Sequence, residues 1–326
     1  MKPVWWILLF TLFSSCSSID RMAVDMTAGL LYRGSAELET EINWNDFKQG
    51  APANLKLLEG LLYLAPDNTT LLASLSKGYA GLAFAVDETL HWRELYADSG
   101  VKTHLKQAVA HYSKSVKYGL HYLALHNVSY QLLSSQAKIE QGIGKLLDQQ
   151  LDGQQEEDRV AVLFTAQSLG GLISLQKSNY QLIAQLSVVK QMFDWVCSKD
   201  SNIGFGACDI FYGAYWAARP KMMGGDPKLA REIFLKLIKR WPDNWLVRVA
   251  FIQYYLVPMM DESGYLQQKQ FLEQALRTAH AKWGWLPSAR LVTAKGPKGH
   301  NPRLNIYRAI ALKRFLIVKQ FEKDLF

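Results

Sequence analysis

Apolar residues recur at helical spacing along most of the chain, and this period restricts the fold more than any other feature. Leu55, Leu58 and Leu62 lie three or four positions apart, so they would share one face of a helix. Beyond about residue 20, no run alternates apolar and polar residues as a half-buried strand does. Short polar turns such as 65–68 and 241–244 separate the periodic segments. We therefore expect an all-α chain.

Two of these turns read Pro-Asp-Asn, at 66–68 and 242–244. The residues around them have the spacing of a tetratricopeptide repeat, in which small residues let paired helices approach and a proline ends the first helix. Around the second turn they are Ala230, Phe234, Leu237, Phe251 and Tyr255. Around the first turn, where the match is weaker, they are Leu58, Leu61, Leu75, Ser76 and Tyr79. The spacing predicts a tetratricopeptide-like helical repeat array of about four degenerate helix pairs plus terminal helices, with a non-repeat helical bundle as the alternative.

The start of the chain has the pattern of a lipoprotein signal. Lys2 precedes an apolar run that is too short to span a bilayer but fits a secretory signal. Residues 13–16, Phe-Ser-Ser-Cys, resemble a bacterial lipobox, whose cysteine receives acyl chains such as palmitate. An ordinary signal peptide with an incidental cysteine and a transmembrane anchor are the alternatives.

The lipobox sets the expected domain boundaries. We expect a signal peptide over 1–15, a lipidated tether over 16–22 with the lipid on Cys16, and a single tetratricopeptide-like helical domain over 23–326. The serine after the cysteine favours the periplasmic face of the outer membrane. Two further cysteines, Cys197 and Cys208, could form a disulfide in an oxidising compartment or remain buried free thiols.

The positive charge is concentrated near the end of the chain. The formal net charge is +8, and eleven of the 37 basic residues lie in the last 50 positions, opposed there only by Glu322 and Asp324. This distribution argues against a uniformly basic nucleic-acid binder. The terminal helix carries four candidate partner-binding residues: Arg303, Arg308, Lys313 and Arg314. A solvated helix face, an acidic partner surface and anionic membrane headgroups are the three interpretations of this helix.

Several longer stretches resemble a known family. They are 54–62, 65–68, 72–85, 168–171 and the unusual run Arg-Pro-Lys-Met-Met-Gly-Gly-Asp-Pro-Lys-Leu-Ala-Arg at 219–231. In these stretches the chain resembles the TRAP transporter T-component (TatT) family of periplasmic helical-repeat lipoproteins. The resemblance implies association with a periplasmic solute-binding P-subunit, homotrimers, and a cavity in each protomer for a hydrophobic or organic-acid ligand. The alternative is a scaffold lipoprotein that organises envelope proteins without a small-molecule ligand.

Aromatic and small residues supply the candidates for such a cavity. Repeat arrays present aromatic side chains on their concave face, and apolar pockets with a few hydroxyls suit amphiphilic ligands. Packing in the repeat core is the competing interpretation. The ligand-cavity candidates are Tyr79, Phe84, Gly170, Gly171, Tyr212, Tyr215, Trp216, Phe251 and Tyr255.

No constellation of residues favours catalysis, a metal or a cofactor. The segment 166–170 approaches a Gly-x-Ser-x-Gly elbow around Ser168, but that motif needs a preceding strand, and 160–175 has a helical pattern. His104 and His111 lie seven positions apart, which is not a zinc-ligand spacing. We expect neither catalytic residues nor a metal site.

Overall fold

The computed structural model describes residues 21–280 and 301–326, and helices account for the secondary structure throughout these ranges, without a strand. The all-α prediction is confirmed. The predicted signal peptide and Cys16 lie outside the described residues. The α-helices are α1 (21–34), α2 (Trp44–Leu64), α3 (Thr69–Leu82), α4 (Thr89–Tyr96), α5 (Thr103–Leu125), α6 (Tyr130–Gln136), α7 (Gly142–Gln150), α8 (Glu156–Leu175), α9 (Tyr180–Ile183), α10 (Leu186–Lys199), α11 (Ala207–Ala218), α12 (Pro227–Arg240), α13 (Trp245–Phe251), α14 (Glu262–His280), α15 (Asn305–Gln320) and α16 (Glu322–Leu325).

The two Pro-Asp-Asn turns have the same local structure. Each follows the end of one helix, and its asparagine begins the next. The Asn68 side chain accepts a hydrogen bond from the Leu71 amide at 2.8 Å, and Asn244 accepts one from the Leu246 amide at 3.1 Å. Such caps satisfy amides that the first turn of a helix leaves free. The turns predicted from the sequence are thus confirmed.

The chain divides into two compact units, each assembled from separated segments. Of the described residues, unit 1 comprises 21–36, Gln49–Leu82 and Ala110–Met192, and unit 2 comprises Glu37–Lys48, Ala83–Val109, 193–280 and 301–326. The single domain expected over 23–326 stays a prediction, as does the repeat arrangement of the helix pairs.

Close approach of helices through small residues builds unit 1. In α8, Gly171 leaves room for the ring of Tyr112, since a Cβ there would lie 2.7 Å from that ring. Buried hydroxyls link α8, α5 and α3. Ser168 of α8 donates to Ser115 of α5 at 2.7 Å, and Ser115 donates to the Ser76 carbonyl of α3 at 2.8 Å. Ser168 therefore lies within a packed helix, as its pattern predicted, and not on a nucleophile elbow.

Unit 2 contains the second tetratricopeptide-like frame. Phe234 of α12 stacks on Phe251 of α13 with ring centroids 5.2 Å apart, and Phe251 stacks on Tyr255 at 5.5 Å. Gly213 of α11 faces the Phe234 ring, where a Cβ would lie only 2.6 Å away. Residues spaced as in a repeat thus form a continuous buried stack.

A disulfide joins Cys197, near the end of α10, to Cys208, at the start of α11. Of the two states left open by the sequence, the bridged one is therefore observed. In the described part of the chain, every helix is too short or too polar to cross a lipid bilayer.

Candidate functional site

Six of the predicted site residues, Tyr79, Phe84, Tyr212, Tyr215, Trp216 and Arg314, belong to three groups with distinct chemistry. The first, the Glu59 cluster, consists of Glu59 with Lys56, Tyr79, Lys114 and Tyr118. The second, the Arg314 cluster, consists of Arg314 with Phe84, Glu88, Thr89 and Gln253. The third, the α11 face, consists of Tyr212, Tyr215, Trp216, Arg219, Met222 and Met223.

In the Glu59 cluster one carboxylate accepts four hydrogen bonds. Its Oε1 atom accepts from the Tyr79 hydroxyl at 2.7 Å, the Tyr118 hydroxyl at 2.8 Å and the Lys114 ammonium at 2.9 Å. Its Oε2 atom accepts from the Lys56 ammonium at 2.6 Å. The Tyr79 and Tyr118 rings stack with centroids 5.9 Å apart, and the Lys114 ammonium lies 4.6 Å from the Tyr79 ring centroid. Two hydroxyls and two cations thus surround a single anion.

Three helices of unit 1 supply this cluster. Glu59 projects from α2, Tyr79 from α3, and Lys114 and Tyr118 from α5. Glu59 lies four positions after Leu55, which is 4% exposed, so it shares the inward face of its helix. Gly78 helps the approach of α3, because a Cβ there would lie 2.5 Å from the Leu55 side chain.

The surroundings of Glu59 strongly favour its charged form. Partial burial would by itself raise the pKa of Glu59, but hydrogen bonds from Lys56, Tyr79, Lys114 and Tyr118 outweigh it and lower the pKa from 4.5 to about 2. The pKa of Tyr79 is raised, first by burial and then by its hydrogen bond to the Glu59 anion. Tyr79 is therefore a permanent donor at ordinary pH.

The Arg314 cluster lies inside unit 2. Arg314 is 1% exposed. Its Nε atom donates to Thr89 at 2.8 Å, its Nη1 atom to Gln253 at 3.0 Å, and its Nη2 atom to the Phe84 carbonyl. Glu88 supplies the opposite charge, with 3.5 Å between Nη2 and Oε1. The guanidinium carbon lies 4.0 Å from the Phe84 ring centroid.

Two π-helical segments position the partners of Arg314. One, Ala83–Glu88, continues α3 and carries Phe84 and Glu88, and the other, Ile252–Leu256, continues α13 and carries Gln253. A π-helical turn widens the backbone spiral by one residue and is frequent at sites with a special requirement. Here it aims a carbonyl and polar side chains at a cation on α15.

The α11 face combines aromatic rings with a cation. The Arg219 guanidinium carbon lies 3.7 Å from the Tyr215 ring centroid and 4.9 Å from that of Trp216. The same guanidinium donates to the Gly224 carbonyl at 2.9 Å, which holds the following loop close to the helix. Met222 is 94% exposed and Met223 is 63% exposed on that loop. At the other end of the face, Tyr212 donates to Asp194 at 2.7 Å.

The remaining cavity candidates lie in packed surroundings. Phe251 and Tyr255 belong to the aromatic stack of unit 2. A Cβ placed on Gly170 would lie 3.5 Å from the Val189 side chain. A recess between α4 and α5 is lined by other residues, among them Arg93, Glu94 and His104. As ligand contacts, the nine candidates stay predictions.

The four predicted partner-binding residues differ in accessibility. Arg308 is 8% exposed and donates to the Asp243 carbonyl at 3.1 Å, and Arg314 is enclosed as described. Lys313 is half-buried, with its ammonium 4.9 Å from the Trp44 ring centroid. Arg303 is exposed and pairs with Glu39 at 2.6 Å. Two of the four therefore lie inside unit 2 instead of on the solvated helix face that the sequence suggested.

His104, whose spacing from His111 is not that of zinc ligands, pairs with a carboxylate. Its Nδ1 atom lies 2.6 Å from Glu94 Oε1, and its backbone amide donates to the same carboxylate at 3.2 Å. Within the described ranges, no group of His, Cys, Asp or Glu has the arrangement of a metal site.

Sequence reasoning missed the residues that complete each group. Glu59, Lys114 and Tyr118 are not among the predicted site residues, although a glutamate on the apolar face of α2 indicates a polar site on that face. Arg219 and the two methionines after it were noticed only as part of a longer stretch. Their signal is the sequence Tyr-Trp-x-x-Arg from 215 to 219, which places a cation one helical turn from two aromatic rings.

We predict that Arg314→Met destabilises the protein by about 3 kcal/mol or more, because it leaves Glu88 as a buried carboxylate without its cation. The matched control is Lys319→Met on the same helix. Lys319 is 41% exposed in its ion pair with Glu273, so its loss should cost less than about 1 kcal/mol. Urea unfolding at pH 7 measures both changes. Equal losses for the two variants would contradict the structural role of Arg314.

We also predict that Glu59 makes stability depend on pH between about 4.5 and 2. The pKa of Glu59 is lower in the folded protein than in the unfolded chain, so its contribution is fully present above pH 4.5 and is lost as the pH falls towards 2. Glu59→Gln should therefore be less stable than the wild type by about 1 kcal/mol at pH 7, and this gap should narrow steadily below pH 4.5 and close at about pH 2. Urea unfolding at several pH values tests this, with Glu140→Gln, at an exposed position, as control. A gap that stays constant would contradict the prediction.

Comparison with known families gives a match for most of the chain. A family model described as the TRAP transporter T-component (TAtT) matches residues 46–294, which include the Glu59 cluster and the α11 face. No curated protein matches the sequence. The matched range covers about three quarters of the chain. The chain therefore belongs to the TRAP transporter T-component family.

Proposed function

We propose that this protein acts as the T-component of a TRAP-type uptake system in the periplasm, where it docks a solute-binding P-subunit and holds an organic-acid ligand. The observation that carries the proposal is the family match over residues 46–294. Membership in that family relates the chain to transport and not to catalysis. The partner, its docking surface and the ligand are the parts that we add.

The α11 face is our candidate docking surface for the P-subunit. Trp, Tyr and Arg dominate the binding energy of protein interfaces, and methionine adapts to partners of varied shape. This face presents all four types, with Arg219 fixed between Tyr215 and Trp216 and with two methionines exposed beside them. Lys221 adds a second positive charge on the same loop, so the complementary partner surface would be apolar with an acidic rim.

The exposed cation Arg303 and the half-buried Lys313 are a second candidate contact for an acidic partner. Lys313 and Lys48 both lie over the Trp44 ring, at 4.9 Å and 5.7 Å from its centroid. Burial, and then the neighbouring charges of Arg93 and Lys48, lower the pKa of Lys313. An acidic group on the partner would relieve this crowding of positive charge.

Docking is tested by co-purification of the lipoprotein from native membranes in mild detergent, followed by mass spectrometry and a binding assay with the captured protein. We predict that a solute-binding protein is recovered and that Met222→Glu with Met223→Glu weakens its binding at least tenfold, because the substitution places charge in an apolar contact. Tyr180→Glu is the control, since Tyr180 is 83% exposed and belongs to unit 1. Recovery of an outer-membrane assembly protein instead would support the scaffold alternative.

Between the two ligand classes, the Glu59 cluster supports the organic acid. Two tyrosine hydroxyls and the Lys114 ammonium already converge on a carboxylate oxygen, and the same donors suit the carboxylate of a solute. The stacked rings of Tyr79 and Tyr118 would contact an apolar part of that molecule. In the present arrangement Glu59 occupies the position that a solute carboxylate would take.

We predict that Glu59→Ala increases the affinity for succinate, used here as a simple carboxylate probe, by at least tenfold, because it removes the competing internal carboxylate. Adding Lys114→Ala to that variant should reverse the gain, since an ammonium donor is lost. Isothermal titration calorimetry at pH 7 measures both effects. Equal succinate binding by wild type and Glu59→Ala would count against a carboxylate ligand at this cluster.

A lipid on Cys16 would hold the protein at the envelope membrane. The support is the lipobox at 13–16 and the absence, within the described ranges, of a helix able to cross a bilayer. Stable anchoring needs more than one acyl chain, which a lipoprotein amino terminus provides. The disulfide in unit 2 agrees with an oxidising compartment. Placement at the outer membrane and assembly into homotrimers complete the proposal.

A further inference from the structure

The outer face of α1 is apolar, although it faces solvent. Met22, Met26 and Leu30 are 68%, 71% and 63% exposed. They lie four positions apart, so they form one stripe along the helix. The opposite side of α1 is the buried one: Val24 and Ala28 are 5% and 1% exposed and pack in an apolar cluster of unit 1.

Charges border this stripe without covering it. Arg33 lies near the end of the helix and is exposed. Arg21, at its start, pairs with Asp67 in the turn after α2, with 3.9 Å between Nη2 and Oδ2. Asp25, the acidic residue of the helix, accepts a hydrogen bond from Asn68 at 2.6 Å and is thereby held towards the turn after α2. The outer face of α1 is thus an apolar stripe with a basic residue at one end, and amphipathic helices of this kind lie in a lipid interface.

The family match does not account for this face, because it begins at residue 46, after α1 has ended. The position of α1 in the chain suggests what covers it. Only four residues separate Cys16 from Arg21, and five peptide units span at most about 18 Å. A lipid on Cys16 would therefore hold the first turn of α1 within about 18 Å of the bilayer surface.

We propose that the outer face of α1 rests on the bilayer to which the protein is anchored, with Met22, Met26 and Leu30 at the level of the acyl-chain boundary. Arg33 contacts anionic headgroups at the end of the helix. The helix is about 21 Å long, so it would lie along the surface and fix the orientation of unit 1 towards the membrane. This inference rests on the lipid anchor in the proposed function.

The methionines allow a direct test by oxidation footprinting. The full-length lipoprotein is bound to vesicles of phosphatidylethanolamine and phosphatidylglycerol, treated with hydrogen peroxide, and analysed for methionine sulfoxide by peptide mass spectrometry. The reference is the lipid-free Cys16→Ala chain. Met222 and Met260, which are 94% and 73% exposed in unit 2, are internal controls.

Oxidation of Met22 and Met26 should be at least fivefold slower on vesicles than in the lipid-free chain, whereas oxidation of Met222 and Met260 should not change. In the lipidated chain, Leu30→Glu should leave vesicle flotation intact but restore the oxidation of Met26.

Two results would overturn the inference while leaving the anchor in place. One is a chain that floats with its vesicles but in which Met22 and Met26 are oxidised as fast as in the lipid-free chain. The other is protection that appears without lipid and grows with protein concentration, which would assign the stripe to a second copy of the chain. A chain that fails to float would overturn the anchor and this inference together.

Discussion

A buried guanidinium organises unit 2. Arg314 lies out of contact with water, so every donor that it directs inwards needs an acceptor from the surrounding helices. Thr89, Gln253 and the Phe84 carbonyl supply them, and Glu88 supplies the balancing charge. These acceptors come from three segments, and two of them are π-helical. Both π-helical segments of unit 2 thus bring acceptors to the same side chain.

The Glu59 cluster is the opposite arrangement. There a carboxylate collects donors from three helices of unit 1, and it remains partly accessible, with 18% of its side chain exposed. A group that exchanges with solvent can be replaced by a ligand at moderate cost, whereas an enclosed ion pair can only be broken. The Glu59 cluster is therefore suited to binding a ligand, and the Arg314 cluster is suited to stabilising the fold, although each consists of one charge and several partners.

The sequence predicts features that depend on neighbouring residues better than features that depend on contacts between distant parts of the chain. Helical periodicity and Pro-Asp-Asn turns are local signals, and they correctly predicted the all-α class and the helix starts after Asn68 and Asn244. The role of Arg314 was not predictable in this way, because its partners lie 61 or more positions away. The sequence placed its helix at the surface because basic residues recur along it. However, Ile310 and Phe315 on either side of Arg314 are 5% and 0% exposed, so burial nearly all round the helix is the observed state. Glu59 and Tyr118, 59 positions apart, illustrate the same limit.

The disulfide between Cys197 and Cys208 makes the stability of unit 2 depend on the redox state of its surroundings. The bridge closes a short loop between cysteines that are 11 positions apart in sequence, and crosslinking stabilises loops of this size by about 3 kcal/mol. Thiols remain reduced in the cytosol, so a newly made chain lacks this contribution there. In the proposed periplasmic location, the bridge would form only after export. Unit 2 would then unfold more easily before export than after it.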